Sequence, residues 1–530
     1  MEKFLIFKHK SLLLLFVTIP IFCLHSCKKE PSSWNSNFSV PIASTSITLN
    51  NIIADSLLDT DANQKLILNY KHPLFQVFTD SMVAFPDTIS SYYFRAFGSG
   101  NLTPGQTIIS QNDVNYFDLG DAQITHLQVL EGKIRLYAIN PLTEPLKLVY
   151  SIPAAKKNGN PFVITEIIPA SNGLTPFVHN VLIDINDYKL DLKGPQGNQN
   201  NRLLTTSVLS IYENANTASV VEGQEFSFYT QFESLSIAYA KGYLGSAMNN
   251  NGPDTTHLDL FKKISNGSIE LQEVDVWLDI VNGIGADLRF KLNELRAINS
   301  KNLNAVHLSG SDVFRFQNIT RAKEEAPWAY NFTPTQKRIN FSNTNIKELF
   351  ETLPDILTYS YSYEVNPWGN ISGGNDFVYA SSKLEAMLNI RIPLSTKISN
   401  LCFSDTLDYK IEMNNEDLEN GKIYIRVANS YPLSFGLRID IINSNNQTET
   451  TLLNQSTSIQ AALPNSNSAQ ASNSLIEIPL NKQQINALVN QKRMLLIITA
   501  NSYSGNLVDL YSYQKMDIKI SADFNIQIKM

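Results

Sequence analysis

Three segments of the chain share one pattern, and it restricts the fold more than any other feature of the sequence. They align without gaps around a central asparagine: KIRLYAINPLTEPLKLVY (133–150), DVWLDIVNGIGADLRFKL (275–292) and KIYIRVANSYPLSFGLRI (422–439). Apolar residues recur at alternate positions before and after Asn140, Asn282 and Asn429. Since successive side chains of a β-strand point to opposite faces, this period of two on both sides of a break predicts strand, turn, strand.

The break in each segment carries residues that end a strand. Pro141, Gly283 and Pro432 lie within three residues of the central asparagine. Proline cannot donate to a β-ladder and glycine relaxes the backbone, so both redirect the chain. Asparagine also outnumbers lysine and arginine together, which favours many short strands joined by polar loops. We therefore predict an all-β fold, made of tandem β-sandwich modules with a few short helices.

The repeated unit resembles the late-embryogenesis-abundant type 2 domain, an immunoglobulin-like or fibronectin-like β-sandwich. The whole chain is similar to a group of large envelope lipoproteins of Bacteroidetes whose function is not established. The similar stretches are VPIASTSITLNNII (40–53), LILNY (66–70), KGYLG (241–245), GSIELQEVDVWLDIVNGIG (267–285), NIKELFETLPD (345–355) and NPWGNISGGNDF (366–377). The resemblance implies an all-β lipoprotein of the cell envelope and brings no catalytic residues with it.

The first 26 residues have the layout of a lipoprotein signal peptide. Three lysines among the first ten residues precede the apolar run SLLLLFVTIPIFC (11–23), which is shorter than the roughly 20 residues that span a bilayer. The sequence LHSC, ending at Cys27, resembles a bacterial lipobox. That resemblance implies cleavage before Cys27 and attachment of diacylglycerol to its thiol, and more than one acyl chain gives lasting membrane anchorage. The alternative is that Cys27 is an ordinary residue of a soluble exported protein.

We expect an outer-membrane lipoprotein and leave open whether it faces the surface or the periplasm. The predicted organisation is a signal peptide (1–26), a polar tether (27–40), and N-terminal, central and C-terminal β domains (41–225, 226–400 and 401–530). Cleavage before Cys27 leaves Cys402 as the only thiol besides the lipidated one, so the fold has no disulfide framework. Its stability must come from a buried core.

Several function classes find no support in the sequence. A net charge of −7 argues against nucleic acid as a partner. There is no HExxH, GxSxG or phosphate-loop pattern, and no histidine pair has metal-ligand spacing. DTDAN (59–63) imitates the first half of a calcium loop, but Gln64 and Tyr70 replace the glycine and the glutamate that such a loop needs. We predict an Asx-rich turn there, and neither catalysis, cofactor nor metal.

The loop NPWGNISGGNDF offers the most suggestive surface. It is rich in turn-forming residues, and we predict that it exposes Trp368 beside Asn370, Asn375 and Asp376. An indole flanked by amides could stack on a sugar ring while the amides bind its hydroxyls. The alternative is that Trp368 folds back and caps the end of a sandwich, because large aromatic side chains are usually buried. The segment APWAYNF around Trp328 poses the same choice.

Three functions remain open at this stage. The first is a lipid-anchored envelope protein with a structural, adhesive or ligand-binding role, attached to the membrane through Cys27 and contacting a glycan or another envelope protein. The second is a surface glycan-binding lipoprotein that uses aromatic loops such as the one with Trp368. The third is a carrier of an apolar ligand between amphipathic sheets, which requires a continuous apolar cavity.

Overall fold

A computed structural model describes residues 33–51, 53, 55–78, 85–310, 312–411, 418–454, 458–464 and 470–529. The predicted signal peptide, Cys27 and the first part of the predicted tether lie outside these residues. The chain is built almost wholly from β-strands, and its polar and apolar residues alternate in burial along them, as in β17 (Asp275–Asn282) and β33 (Arg493–Ser502). The prediction of an all-β fold made of β-sandwich modules with a few short helices is confirmed.

In chain order the first strands are β1 (Ser33–Ile47), β2 (Leu58–Thr60), β3 (Leu66–Phe78), β4 (Thr88–Arg95), β5 (Gly100–Leu102), β6 (Thr107–Tyr116), β7 (Gln123–Asn140), β8 (Leu146–Lys157), β9 (Asn160–Ile168), β10 (Phe177–Asp184), β11 (Lys189–Asp191) and β12 (Arg202–Ile211). The middle of the chain forms β13 (Ala218–Val220), β14 (Glu225–Tyr243), β15 (Ala247–His257), β16 (Ile264–Leu271), β17, β18 (Leu288–Asn299), β19 (Asn304–His307), β20 (Gln317–Ile319), β21 (Lys323–Glu324), β22 (Phe332–Thr333), β23 (Thr335–Asn340), helix α1 (Ile346–Glu351) and β24 (Ile356–Val365). The last elements are β25 (Asp376–Tyr379), β26 (Lys383–Pro393), β27 (Ser395–Asp408), β28 (Leu418–Asn429), β29 (Leu433–Ile442), β30 (Thr448–Leu453), β31 (Ser458–Ile459), β32 (Ser472–Leu480), helix α2 (Lys482–Asn490), β33, β34 (Val508–Asp509) and β35 (Met516–Lys529).

Most of these strands form three modules with the same arrangement, in which each of two layers contains four equivalent strands; further strands, such as β2 beside β3 and β16 beside β27, extend some of the layers. In module 1 the layers are β4-β14-β7-β10 and β6-β12-β8-β9, and the short β11 joins β7 to β8. In module 2 they are β3-β26-β17-β23 and β15-β24-β18-β20. In module 3 they are β1-β35-β28-β32 and β27-β33-β29-β31. The predicted repeat is therefore a repeat of topology, although its two strands lie in opposite layers rather than pairing with each other.

The central asparagine of each repeat makes the same contacts, and we call this feature the asparagine turn. Asn140, Asn282 and Asn429 are fully buried. In each, Oδ1 accepts a hydrogen bond from the backbone N–H two residues later, at 2.9, 2.9 and 3.0 Å. In each, Nδ2 donates to the carbonyl four residues later, at 3.0, 3.2 and 2.8 Å. A second bond from Nδ2 reaches the carbonyls of Pro169, Thr320 and Gln460. Each of these residues directly follows the strand (β9, β20 or β31) that pairs with the second strand of the repeat.

The modules are nested in the chain rather than consecutive. The chain contributes β1 to module 3 and β3 to module 2 before it completes module 1 between residues 88 and 243. It then returns to finish module 2 up to residue 393, and module 3 after that. Strand pairing therefore joins ranges that the sequence analysis placed in separate domains: β1 pairs with β35, and β3 with β26.

The nested path stacks the modules end to end. The strand β1 runs from Ser33 at one end of module 3 to Ile47 at the other, beside the asparagine turn. At that end, the N–H groups of Leu66 and Leu510 donate to the carbonyls of Leu510 and Leu394, which links module 3 to module 2. The asparagine-turn end of module 2 meets module 1 in the same manner, because β25 pairs with the last residues of β14. The first described residue of the chain thus lies at the base of a column, and module 1 lies at its top.

Candidate functional site

The loop between β24 and β25 holds the residues predicted from sequence. Trp368 is 48 % exposed, and Asn370 and Asn375 are also exposed. Their polar groups shape the loop itself: Asn370 Oδ1 accepts from the N–H of Gly374 at 2.8 Å, and Asn375 Nδ2 donates to the carbonyl of Ser372 at 3.0 Å. The loop brings Trp368, Asn370 and Asn375 to one surface, and their binding of a ligand stays a prediction.

Asp376 does not belong to that surface. It is fully buried, so the prediction that it lies beside Trp368 on the exposed loop is wrong, although it is next to Asn375 in the sequence. Its carboxylate accepts hydrogen bonds from Asn366 Nδ2 at 2.7 Å, from the N–H of Leu244 at 3.1 Å and from Arg321 Nη1 at 3.2 Å. These partners come from both sides of the junction between modules 1 and 2, so Asp376 stabilises the junction.

The second aromatic segment, residues 325–331, is fixed against module 1 by a buried carboxylate. Glu324 accepts hydrogen bonds from Tyr239 Oη at 2.7 Å, Tyr379 Oη at 2.9 Å and Lys241 Nζ at 2.7 Å. Burial alone would raise the pKa of Glu324, but the bonds from Lys241 and the two tyrosines outweigh it and hold this pKa below its usual range. The carboxylate therefore stays charged, and the segment that follows it is fixed at the module junction.

This segment forms one wall of a groove of about 920 Å³ on the side of module 1. The opposite wall and the floor come from β7, from the turn between β8 and β9, and from β11 with the residues before it. Its aromatic and polar lining residues are His126, Gln128, Lys156, Lys157, Asn158, Asp187, Lys189, Asp191, Trp328 and Tyr330. The volume falls within the range of about 300–1,000 Å³ that is usual for ligand sites.

Trp328 and Tyr330 supply the aromatic wall from a strained backbone. Their φ angles are 65° and 53°, in the left-handed region that costs a bulky residue about 1–3 kcal/mol. The indole of Trp328 packs 4.9 Å from the ring of Tyr239 and 5.7 Å from that of His126, and the phenol of Tyr330 is 51 % exposed. Packing against module 1 therefore maintains a backbone conformation that presents two aromatic rings to the groove.

The groove floor carries a polar group with unused hydrogen-bonding capacity. Gln128 is only 9 % exposed, and its Oε1 has no hydrogen-bond partner among the described residues. A buried acceptor without a partner costs about 1–3 kcal/mol, so such groups are rare unless they serve a purpose. Next to it, burial is the main cause that lowers the pKa of His126, and Lys193 lowers it further against the opposing effect of Asp191. The imidazole is therefore neutral near pH 7.

The pairing register of β7, β11 and β8 places the polar residues of the groove floor in one row across the sheet. Lys189 on β11 lies directly opposite Gln128 on β7 and directly opposite Lys156 on β8. The next residues along, Leu190 and Ala155, are buried, so the two lysine side chains and Gln128 point outward on the same face. The ammonium of Lys189 lies 4.9 Å from the centre of the Trp328 ring. Lys189 therefore contacts the aromatic wall and also belongs to the polar floor.

Sequence reasoning identified Trp328 as a candidate but did not find the groove around it. Gln128, Lys156 and Lys189 carry no motif, because three separate strands bring them together. The only sequence signal for this site was the aromatic and turn-forming composition of APWAYNF.

Other features of the molecule bear on the remaining predictions. An apolar cavity of about 70 Å³ lies between modules 2 and 3, about half the volume of an engineered cavity that holds benzene, so it has no room for an acyl chain.

The described residues contain no group of three or more potential metal-ligating side chains. Asp61 Oδ1 accepts from the N–H groups of Asn63 and Lys65, which is the predicted Asx turn. None of the described helices has the length and hydropathy of a membrane-spanning segment.

Comparison with known proteins leaves the family open. No family model and no curated protein matches the chain. Among solved structures, a protein of Parabacteroides distasonis described as secreted is 9 % identical, over 92 % of this chain and 99 % of that one, with a TM-score of 0.27. A triple jelly roll protein from the turret of an archaeal virus is 9 % identical, over 85 % and 92 % of the two chains, with a TM-score of 0.11. The particle protein VP2 of infectious bursal disease virus is 8 % identical, over 85 % and 84 %, with a TM-score of 0.11. Similarity at this level carries no argument about function.

Proposed function

We propose that this chain is a non-catalytic saccharide-binding lipoprotein of the cell envelope, and that the groove beside Trp328 is its binding site. The observation that carries the proposal is the combination, in one groove, of two aromatic rings with a polar floor. Sugars present an apolar ring face and a rim of hydroxyls, so a site for them needs a flat aromatic surface next to hydrogen-bonding groups. Trp328 and Tyr330 supply the first, and Gln128 and His126 supply the second.

The column supports the proposed place in the envelope. Lipidation of Cys27 would attach the chain to the membrane just before Ser33, at the base of module 3. The strands β1 and β3 have 15 and 13 residues, so modules 3 and 2 together span up to about 90 Å along their strands. A groove at the top of that length would lie well clear of the membrane surface. We propose that this spacing is the structural role of the two lower modules.

The two aspartates of the groove are consistent with binding and not with glycoside hydrolysis. Asp187 pairs with Lys157 and Asp191 with Lys193, each at 3.2 Å. Glycoside hydrolysis needs two carboxyl groups that flank the scissile bond, one of them protonated at neutral pH. Both aspartates of the groove are already engaged in ion pairs with lysines, so the groove does not offer two carboxyl groups free to flank a sugar bond.

The test is saccharide binding by the full chain purified in detergent, measured against a panel of neutral and acidic oligosaccharides. Loss of the stacking ring in Trp328→Ala should weaken binding about ten-fold or more. Trp368→Ala removes the same type of side chain from an exposed loop outside the groove and should leave affinity unchanged. Circular dichroism checks folding, and Tyr330→Ala gives a second, more exposed wall variant. Absence of binding by the parent chain, or equal effects of the two tryptophan variants, would refute the proposal.

A further inference from the structure

We infer that the groove selects saccharides that carry negative charge, with carboxylate or sulfate groups bound between Lys156 and Lys189. The inference rests on the proposed saccharide binding and adds the class of ligand. Its starting point is the register of β8 and β11, which sets these two lysines directly opposite each other on neighbouring strands. Side chains in such positions are in contact range, and like charges there destabilise a sheet.

Neither lysine has a carboxylate partner among the described residues. The neighbouring lysines do: Lys157 pairs with Asp187, and Lys193 pairs with Asp191. The groove lining contains one more lysine than aspartate, although the chain as a whole has a net charge of −7. The neutral imidazole of His126 adds no charge near pH 7. The two uncompensated ammonium groups therefore make the groove a local site of positive potential on an acidic protein.

The position of these lysines suits an acidic sugar better than a free anion. The ammonium of Lys189 lies over the ring of Trp328 at 4.9 Å, so an anionic substituent bound by Lys189 belongs to a group that also reaches the aromatic wall. Gln128 lies on the far side of Lys189 in the same row, with its Oε1 still without a partner. One ring stacked on the wall would then place its acidic group between the lysines and its hydroxyls toward Gln128.

The test compares pairs of ligands that share a sugar backbone, one member acidic and the other neutral. The full chain is titrated with oligogalacturonate and its methyl ester, with oligosaccharides of hyaluronan and their carboxyl-reduced forms, and with dextran sulfate and dextran. The first two pairs test carboxylates and the third tests sulfates. Because solvent-exposed ion pairs contribute modestly, we expect at least one acidic member to bind about ten-fold more tightly than its neutral counterpart, and the preference to shrink at high salt.

Three variants assign the effect to the row of lysines. Lys156→Gln and Lys189→Gln should each remove part of the preference and the double variant all of it, while affinity for the neutral member changes little. Lys133→Gln is the control, since Lys133 is an exposed lysine of the same module on β7 and lies outside the groove. A preference that survives in the double variant, or that Lys133→Gln also removes, would overturn the inference.

The outcomes also separate this inference from the proposed function. Equal binding of acidic and neutral members, lost in Trp328→Ala, would overturn the acidic selectivity and leave saccharide binding intact. Absence of binding to every member of the panel would overturn both.

Discussion

Replacing Asn140 with alanine should destabilise module 1 by about 3 kcal/mol. The side chain is fully buried and makes three short hydrogen bonds to the backbone: from the N–H of Leu142 at 2.9 Å, and to the carbonyls of Glu144 at 3.0 Å and Pro169 at 2.8 Å. Each bond contributes about 1 kcal/mol, and a buried group left without a partner costs more than the bond it loses. The same turn occurs in all three modules, so its contribution is general to the fold.

The assay must resolve one module, because a chain with several modules need not unfold in a single step. We would follow urea unfolding by amide hydrogen exchange of peptides from β7 to β9. The matched control is Asn112→Ala on β6, an exposed asparagine of the same module, which should change stability by less than about 0.5 kcal/mol. If Asn140→Ala shifts the unfolding of module 1 no more than Asn112→Ala does, the asparagine turn is not the stabilising element we take it to be.

Two further predictions concern the junction and the anchor. The depressed pKa of Glu324 means that its contribution to stability is complete above the ordinary value of 4.5 and is lost as pH falls through the folded-state value. The difference in thermal midpoint between the parent chain and Glu324→Gln should thus be constant from pH 8 to about 5 and shrink only at lower pH, and a difference that vanishes between pH 7 and 5 would contradict this assignment. Palmitate fed to cells should label the parent chain but not Cys27→Ala, and protease treatment of intact cells then reports which face of the membrane carries the column; labelling that survives in Cys27→Ala would exclude the proposed anchor.

The sequence predicts the strands and the repeat but not the path of the chain through the modules. Alternation of polar and apolar residues follows from the two faces of a strand, so β17 and β28 are readable from their own residues. The partner of a strand is set by the whole fold and has no limit of sequence separation. For that reason β1 gives no sign in its own sequence that it pairs with β35, and contiguous domains were the natural expectation.

The two aromatic loops show the same limit at the level of single residues. Trp328 and Trp368 lie in segments of similar composition, and both could stack on a ligand or pack inward. What distinguishes them is the neighbourhood that the module junction supplies: Glu324 fixes the Trp328 segment against module 1, whereas Arg321 and Asn366 draw Asp376 into the interior beside the Trp368 loop. Neither neighbourhood can be read from residues adjacent in sequence.

The groove differs from the rest of the described chain because several energetically unfavourable features occur in it together. Left-handed residues and unpaired buried polar atoms also occur at other positions of the described chain. In the groove, however, Trp328 and Tyr330 hold strained backbones, Gln128 keeps a buried acceptor unpaired, and Lys156 and Lys189 oppose each other in register. Each feature alone costs stability. A ligand ring stacked on Trp328 and Tyr330 would favour their strained conformation, its hydroxyls would pair with Gln128, and its acidic group would offset the repulsion between Lys156 and Lys189. Coincident costs that one ligand class can offset are the expected mark of a binding site, since local rules fail where function requires it.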